Sequence, residues 1–225
     1  MTVPVVTIDG PSSSGKGTVS RRVAARVNWH LLDSGALYRL VALAGSRLKL
    51  NPDDIEGHVL AAVDMEVVFG QVLGEEQVWL SGEDVTWELR QEQAGQGASR
   101  VAAWPAVRQA LLARQKAFAR PPGLVADGRD MGTVVFPEAP LKVFLTASAE
   151  ERARRRHKQL KDKGSGVSLA ALSREIAERD LRDSTRAVAP LKPAPDAHVI
   201  DSTALVVDEV VEAVLAFGRD RSLWP

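Results

Sequence analysis

Apolar residues along the chain alternate between short continuous runs and stretches in which they recur every three or four positions. The run Val3–Ile8 is rich in β-branched residues and predicts a buried strand, and the valines at positions 19, 23 and 27 mark one face of a following helix. Further strands are predicted at Trp29–Leu32, Leu124–Ala126, Leu141–Leu145 and His198–Ile200. Strands that alternate with helices predict an α/β fold with a parallel sheet covered on both faces.

Three further helices are predicted, two from the same apolar spacing and one from a capping pattern. The apolar residues of 37–48 fit one helical face, and the last helix passes through Val206 and Leu215. Between them, Ser148 and Glu151 have the spacing of a capping box, in which each side chain accepts from the other residue's backbone amide. This pair predicts a helix that begins next to Ser148.

The segment 61–100 departs from this alternation. Met65–Phe69 and Val78–Leu80 predict the two strands of a hairpin around Gly74. From position 61 to position 99 the chain has eight acidic residues and one basic residue. We therefore expect a small antiparallel-sheet domain inserted at 61–100.

The segment 151–186 shows the opposite change in charge, with eleven Lys or Arg against six Asp or Glu. Gly164, Ser165 and Gly166 interrupt it and predict a flexible tip between two helices. A solvated basic surface is one interpretation and a helical lid at 151–186 is the other. The segments 1–60, 101–150 and 187–225 would then form the core.

The composition is that of a globular protein and argues against several other classes of protein. Hydrophobic residues make up 45% of the chain and charged residues 26%, as in ordinary globular proteins. The formal net charge of zero argues against a nucleic-acid polymer as partner, and the absence of cysteine excludes disulfides and thiolate metal sites. No apolar run reaches the roughly 18 residues of a membrane span. We expect a cytoplasmic, monomeric protein that does not bind membranes.

A phosphate-binding loop is predicted directly after the first strand and at the start of the first helix. Glycines let backbone amides turn toward phosphate oxygens, the helix N-terminus adds partial positive charge, and Lys16 adds a full one. The residues expected to bind the phosphates of a nucleoside triphosphate are Gly10, Pro11, Ser12, Ser13, Ser14, Gly15, Lys16, Gly17 and Thr18.

This loop has Gly17 where most such loops have a Ser or Thr that contacts magnesium; the hydroxyl follows at Thr18. We therefore expect Mg²⁺ to arrive as MgATP and to be held mainly by phosphates and water, without a direct protein ligand. GTPase switches are disfavoured because the chain has no Asn-Lys-x-Asp run for guanine.

The arginines outside this loop indicate that the molecule that accepts the phosphate is itself anionic. Phosphate transfer between two anionic molecules requires several cations to hold them together. If the acceptor is a monophosphate, its oxygen is already deprotonated and needs little help from a general base. Arg39 follows a polar turn after the second strand, and the loop Asp127–Gly132 follows a buried strand, at the end where open α/β sheets bind ligands. The basic residues of 152–156 recur at Arg179, Arg182 and Arg186.

With these motifs in place, the chain resembles bacterial cytidylate kinases, a family of P-loop nucleoside monophosphate kinases. The runs that carry the resemblance are Thr7–Thr18, His30–Ala36, Ala98–Ala103, Asp127–Pro137 and Arg186–Leu191. They span nearly the whole chain, and the Asp127–Pro137 run is the most specific. The resemblance implies transfer of the γ-phosphate of ATP to CMP or dCMP, a parallel core sheet, a CMP-binding insert and a helical lid.

The resemblance also implies residue roles. Positions expected to contact cytosine are Ser99, Arg108 and Asp130, those for the acceptor phosphate are Arg39 and Arg129, and those around the ribose are Arg179 and Asp183. Further substrate-binding positions are Ser34, Asp127 and Arg186. The expected catalytic residues are Lys16, Arg129 and two lid arginines, Arg156 and Arg182.

Two alternatives stay open from the sequence. Another small P-loop kinase, for adenylate, uridylate or shikimate, would share the loop and the sheet. A nucleotide-binding module without an acceptor would share the loop alone.

Overall fold

The computed structural model describes residues 3–72, 75–162 and 166–225. Its strands, in chain order, are β1 Val5–Asp9, β2 His30–Asp33, β3 Val67–Val72, β4 Glu75–Leu80, β5 Glu83–Asp84, β6 Leu124–Gly128, β7 Leu141–Thr146 and β8 His198–Asp201. Its helices are α1 Lys16–Val27, α2 Ser34–Arg47, α3 Ile55–Asp64, α4 Thr86–Leu89, α5 Glu92–Val101, α6 Pro105–Lys116, α7 Ala149–Lys161, α8 Leu169–Thr185 and α9 Val207–Arg219. A π-helical turn spans Met131–Val135.

The chain divides into two compact units, and the first comprises Met1–Asp33 and Lys116–Pro225. Its sheet has five parallel strands in the order β2-β6-β1-β7-β8, which confirms the predicted fold class and all five core strands. Strand β6 lies between β2 and β1, with Asp127 opposite Asp33 on one side and Ile8 on the other. The register thus brings the carboxyl ends of these strands to one edge.

The core of the first unit is apolar because both faces of the central strands are covered. All five residues of β1 and all five of β6 are buried, and Val19 and Val23 of α1 pack against the sheet together with Val214 of α9. Burial at both faces explains why these strands are continuous apolar runs rather than alternating ones.

The second unit comprises Ser34–Gln115. It holds an antiparallel sheet in the order β3-β4-β5, so the predicted hairpin is confirmed, while Gly74 at its turn lies outside the described residues. Helices α2 and α5 pack closely, since a Cβ at Gly97 would lie 2.8 Å from the Cβ of Ala42. Segment 61–100 lies within this unit, and its boundaries as a separate insert stay a prediction.

Helix α7 begins as the capping pattern predicts, but only half of the box forms. The Ser148 hydroxyl accepts from the Glu151 amide at 3.2 Å, whereas the Ser148 amide donates to Thr203 Oγ1 at 2.9 Å. The reciprocal half of the prediction is wrong because Glu151 accepts instead from Arg154 and Arg155.

Helices α7 and α8 are both present in the basic segment 151–186. Of the predicted tip Gly164–Gly166, Gly164 and Ser165 lie outside the described residues. Within the part of the chain that is described, no helix is long and apolar enough to cross a membrane.

Candidate active site

The loop between β1 and α1 has the backbone of a phosphate-binding loop. Gly10 has a φ angle of 154° and Gly15 has one of 92°, values that residues other than glycine rarely adopt. A Cβ at Gly10 would also collide with the Leu145 carbonyl oxygen of β7. The two glycines thus let the loop turn tightly against the neighbouring strand before α1 begins.

Lys16 lies at the first position of α1 with its side chain buried. Its Nζ donates to the Pro11 carbonyl at 3.1 Å, so the lysine side chain extends back across the loop. The pKa of Lys16 is lowered to about 7, first by burial and then by the charges of Arg129 and Arg179, while Asp127 and Asp33 oppose this shift. A bound phosphate would supply the negative charge that restores the ammonium form.

The carbonyl groups of the loop are turned toward two arginines of α7. Arg152 Nη1 donates to the Ser12 carbonyl at 3.3 Å, and Arg155 Nη1 donates to the Ser14 carbonyl at 3.2 Å. In a trans peptide the N–H points away from the C=O, so the amides of Ser13 and Gly15 face the opposite side. The arginines therefore help to direct the amides into a cradle for phosphate oxygens.

Asp180 of α8 holds Arg152 in place. Its two carboxylate oxygens accept from Arg152 Nη2 at 2.6 Å and from Nη1 at 3.1 Å, and Arg152 Nε donates to the Ala147 carbonyl at 3.0 Å. Sequence reasoning placed Arg152 and Arg155 only in a basic stretch and did not connect them to the loop. Their positions one and four residues after Glu151 offered no signal for this contact.

Asp127 lies at the end of β6, beside the start of α1. A Cβ at Gly17 would lie 3.2 Å from Asp127 Oδ2, closer than ordinary contacts. The unusual glycine at position 17 thus leaves room for this carboxylate, which a serine or threonine there would crowd. Asp127 is buried, and its charge favours the protonated form of Lys16.

The loop after β6 and the inner face of α8 carry a network of alternating charges. Arg129 Nε donates to Asp183 Oδ2 at 3.0 Å, and Arg186 Nη2 lies 3.9 Å from Asp130 Oδ1. Burial alone would raise the pKa of Asp183, but Arg129, Arg179 and Arg186 lower it below its usual value. Of these arginines, Arg129 and Arg179 lie near enough to Lys16 to lower its pKa.

The first unit thus groups most of its predicted site residues. The members of this group are Lys16, Asp127, Arg129, Asp130, Arg179, Asp183 and Arg186. The two predicted lid arginines differ from them, because Arg156 is half-buried on α7 and Arg182 is exposed on α8. Their contact with a transferred phosphate stays a prediction.

The second unit contains the remaining predicted residues. Ser34 is buried at the start of α2, and Arg39 follows on the same helix. Arg108 of α6 lies with its guanidinium 5.6 Å from the centre of the Tyr38 ring and donates to the Ala102 carbonyl at 3.2 Å. The hydroxyl of Ser99 is buried without a hydrogen-bond partner among the described residues. Their roles in binding a substrate stay predictions.

A glycine-rich loop between a strand and a helix, with a buried lysine at the start of that helix, defines a P-loop nucleotide-binding site. Four arginine or lysine side chains grouped around it indicate a phosphotransferase, because phosphoryl transfer is catalysed mainly by positioning and by cationic stabilisation. The class that this fold and site define is therefore the P-loop kinases.

Comparison with known proteins gives the family. The sequence model described as "Cytidylate kinase" matches residues 6–219, and the chain belongs to this family. It is 60% identical to the cytidylate kinase of Azotobacter vinelandii over 221 residues, which cover 97% of this chain and 96% of that protein. It is 57% identical to the cytidylate kinase of Stutzerimonas stutzeri over 223 residues, or 98% and 97% of the two chains. The suspected family is thus confirmed.

More distant similarity exists among solved structures. The shikimate kinase of Bacteroides thetaiotaomicron has a TM-score of 0.47 and 12% identity, and covers 97% of this chain and 98% of its own. The gluconokinase of Sinorhizobium meliloti has a TM-score of 0.48 and 16% identity, with 98% and 94% covered. At these TM-scores the similarity carries no information about function.

Proposed function

We propose that this protein transfers the γ-phosphate of ATP to CMP or dCMP, which gives ADP and CDP or dCDP for pyrimidine nucleotide metabolism. The observation that carries the proposal is the family match over residues 6–219. The buried Lys16 beside an amide-lined loop supports it, because this arrangement suits the polyphosphate of ATP.

On the donor side, the amides of the loop and Lys16 hold the β- and γ-phosphates. Arg129, with the proposed lid arginines Arg156 and Arg182, neutralises the charge that spreads over the transferred phosphoryl group. The deprotonated phosphate oxygen of the acceptor attacks the γ-phosphorus, so no histidine or other general base is required. The ion pair of Arg129 with Asp183 supports this assignment, since it holds a guanidinium near Lys16 before the substrates arrive.

On the acceptor side, Arg39 and Arg129 bind the phosphate of CMP, and Arg179 and Asp183 bind the ribose. Ser99, Arg108 and Asp130 contact cytosine, and the remaining substrate-binding residues are Ser34, Asp127 and Arg186. An ionised aspartate accepts the N4 amino group of cytosine but repels the O4 of uracil. The buried hydroxyl of Ser99, which lacks a protein partner among the described residues, supports a contact with a base acceptor.

Mg²⁺ would enter with ATP. No cluster of three or more potential metal ligands exists in residues 3–72, 75–162 and 166–225. In our proposal the ion is bound mainly by phosphates and water. The carboxylate of Asp127 beside the loop fits such an ion as an outer-sphere acceptor. When bound, the metal would neutralise phosphate charge.

We further propose that the enzyme acts as a monomer in the cytoplasm, where its nucleotide substrates are found, without a nucleic-acid polymer as partner.

Product analysis tests this function directly. Purified protein is incubated with MgATP, with and without CMP, and the phosphorus NMR spectrum is followed. We expect ADP and CDP in equal amounts, and almost no ADP without the acceptor. A binding module would instead hydrolyse ATP slowly at a rate that CMP does not change, and that outcome would contradict the proposal.

A further inference from the structure

Asp9, the last residue of β1, carries a carboxylate that the proposed reaction does not use. Its side chain is buried, and Gly10 of the phosphate-binding loop follows it directly. Asp9 Oδ1 accepts from the Met131 amide at 2.8 Å, and Oδ2 accepts from the Gly132 amide at 2.8 Å. One side chain at the edge of the ATP loop therefore binds two successive amides of the loop that follows β6.

These two amides belong to the turn that begins immediately after Asp130. The Asp130 carbonyl accepts from the amides of Val134 at 2.9 Å and Val135 at 3.2 Å, so the π-helical turn closes on it. Asp9 binds the N–H of this same Asp130–Met131 peptide unit from the opposite side, and also the N–H of the next peptide unit. The backbone of Asp130 is thus held in one conformation, and with it the direction in which its carboxylate leaves the chain.

We propose that Asp9 is a positioning residue that joins the ATP-binding loop to the loop carrying Arg129 and Asp130, and that it thereby sets the preference for cytosine. The inference rests on the proposed function, because it assigns Asp9 a role through Asp130. Asp9 itself touches neither substrate.

Burying a charged carboxylate at Asp9 is unfavourable, which argues that this side chain has a specific role. The pKa of Asp9 is raised to about 7, mainly by burial. The charges of Asp130 and Asp127 also raise this pKa, whereas the two amide hydrogen bonds lower it. An asparagine of the same shape would avoid the charge but offers only one acceptor oxygen. Its NH₂ group would face an amide N–H, so one of the two peptide units would be released.

The test compares substrate selectivity in Asp9→Asn and wild type. We expect the CMP/UMP ratio of kcat/KM to fall about tenfold, which corresponds to about 1.4 kcal/mol. The KM for CMP should rise, whereas the KM for ATP should stay within about twofold. A merely structural role beside Gly10 would raise the KM for ATP at least as much and leave the ratio unchanged, which would overturn the proposal.

A double-mutant cycle with Asp130→Asn shows whether Asp9 acts through Asp130. We expect Asp9→Asn to change the CMP/UMP ratio by less than about twofold once Asp130 is already Asn. Full additivity of the two effects would overturn the proposal. Asp208→Asn, at an exposed carboxylate paired with Arg22, is the matched control and should behave as wild type.

A second variant serves if Asp9→Asn does not fold. A Cβ in Gly132→Ala would lie 2.8 Å from Thr7 Oγ1, so the turn must shift while the Asp9 carboxylate stays intact. We expect the same loss of CMP/UMP selectivity, and an unchanged ratio would count against the inference. If wild type shows no CMP-dependent ADP formation at all, the proposed function itself fails, which is a separate result.

Discussion

Arg152 and Asp180 form a two-point ion pair, with Nη2–Oδ2 at 2.6 Å and Nη1–Oδ1 at 3.1 Å. The same guanidinium donates to the Ser12 carbonyl at 3.3 Å. One side chain therefore connects the two helices of the basic segment to the phosphate-binding loop. The first turns of α7 act as support for the loop as well as the start of the predicted lid.

Replacing this guanidinium should weaken nucleotide binding. In Arg152→Lys an ammonium cannot make the planar two-point contact with Asp180 and also reach Ser12. We expect the Kd for ADP to rise about tenfold, measured by titration calorimetry. Arg154→Lys, at an exposed position on the same helix, is the matched control. Equal affinities in the two variants would show that Arg152 does not orient the loop.

Substrate binding should order the basic segment unevenly. We expect ATP and CMP together to slow amide hydrogen exchange within residues 152–186, as a closing lid would. Residues 156–162 and 166–182 should change most, because Arg152 and Arg155 already contact the loop without ligand. Exchange that is unaffected by both ligands together would identify the segment as a static basic surface.

Lys16 should take up a proton when ADP binds. Its pKa of about 7 leaves the side chain mostly neutral at pH 8, and the bound β-phosphate should raise that pKa. Calorimetry at pH 8 in two buffers of different ionisation enthalpy should show uptake of nearly one proton. Lys16→Ala should abolish the uptake and lower kcat by orders of magnitude with the fold intact. Near-normal turnover in that variant would contradict the role of Lys16.

The raised pKa of Asp9 predicts a stability change with pH. Between the unfolded value of 3.8 and the folded value of about 7, the native state binds more protons than the unfolded state. The contribution of Asp9 is therefore fully present below pH 3.8 and is lost as pH rises toward 7. We expect Asp9→Asn to remove up to about 1.4 kcal/mol per pH unit from the slope of unfolding free energy in this window. Denaturant unfolding at several pH values measures it, and parallel curves would contradict it.

The sequence predicts the features of this molecule that depend on neighbouring residues. The loop at Gly10–Thr18 and strand β6, which contains Asp127, are local patterns, and both are where the motifs indicate. Arg152 and Arg154 illustrate the limit, because they lie on one helix with similar sequence surroundings. Only the packing of α7 determines that Arg152 reaches Ser12 while Arg154 is exposed.

Asp9 shows a second limit of the sequence pattern. In the sequence it only ends an apolar run, and its partners lie 122 and 123 residues away. The reciprocal half of the capping box at Ser148 is absent for a similar reason, since the hydroxyl of Thr203 accepts from the Ser148 amide from a distant part of the chain. Contacts between segments that only the sheet brings together cannot be found from local spacing.

The proposal that the protein phosphorylates CMP and dCMP is tested most directly by comparing different acceptors under one set of conditions. Steady-state kcat/KM is measured with saturating MgATP and CMP, dCMP, UMP, AMP or shikimate as acceptor, with ADP formation coupled to a colour change. We expect CMP and dCMP to exceed UMP by about tenfold or more, as each mismatched buried hydrogen bond costs about 1–3 kcal/mol, with AMP and shikimate near background. A preference for UMP, AMP or shikimate would contradict the account.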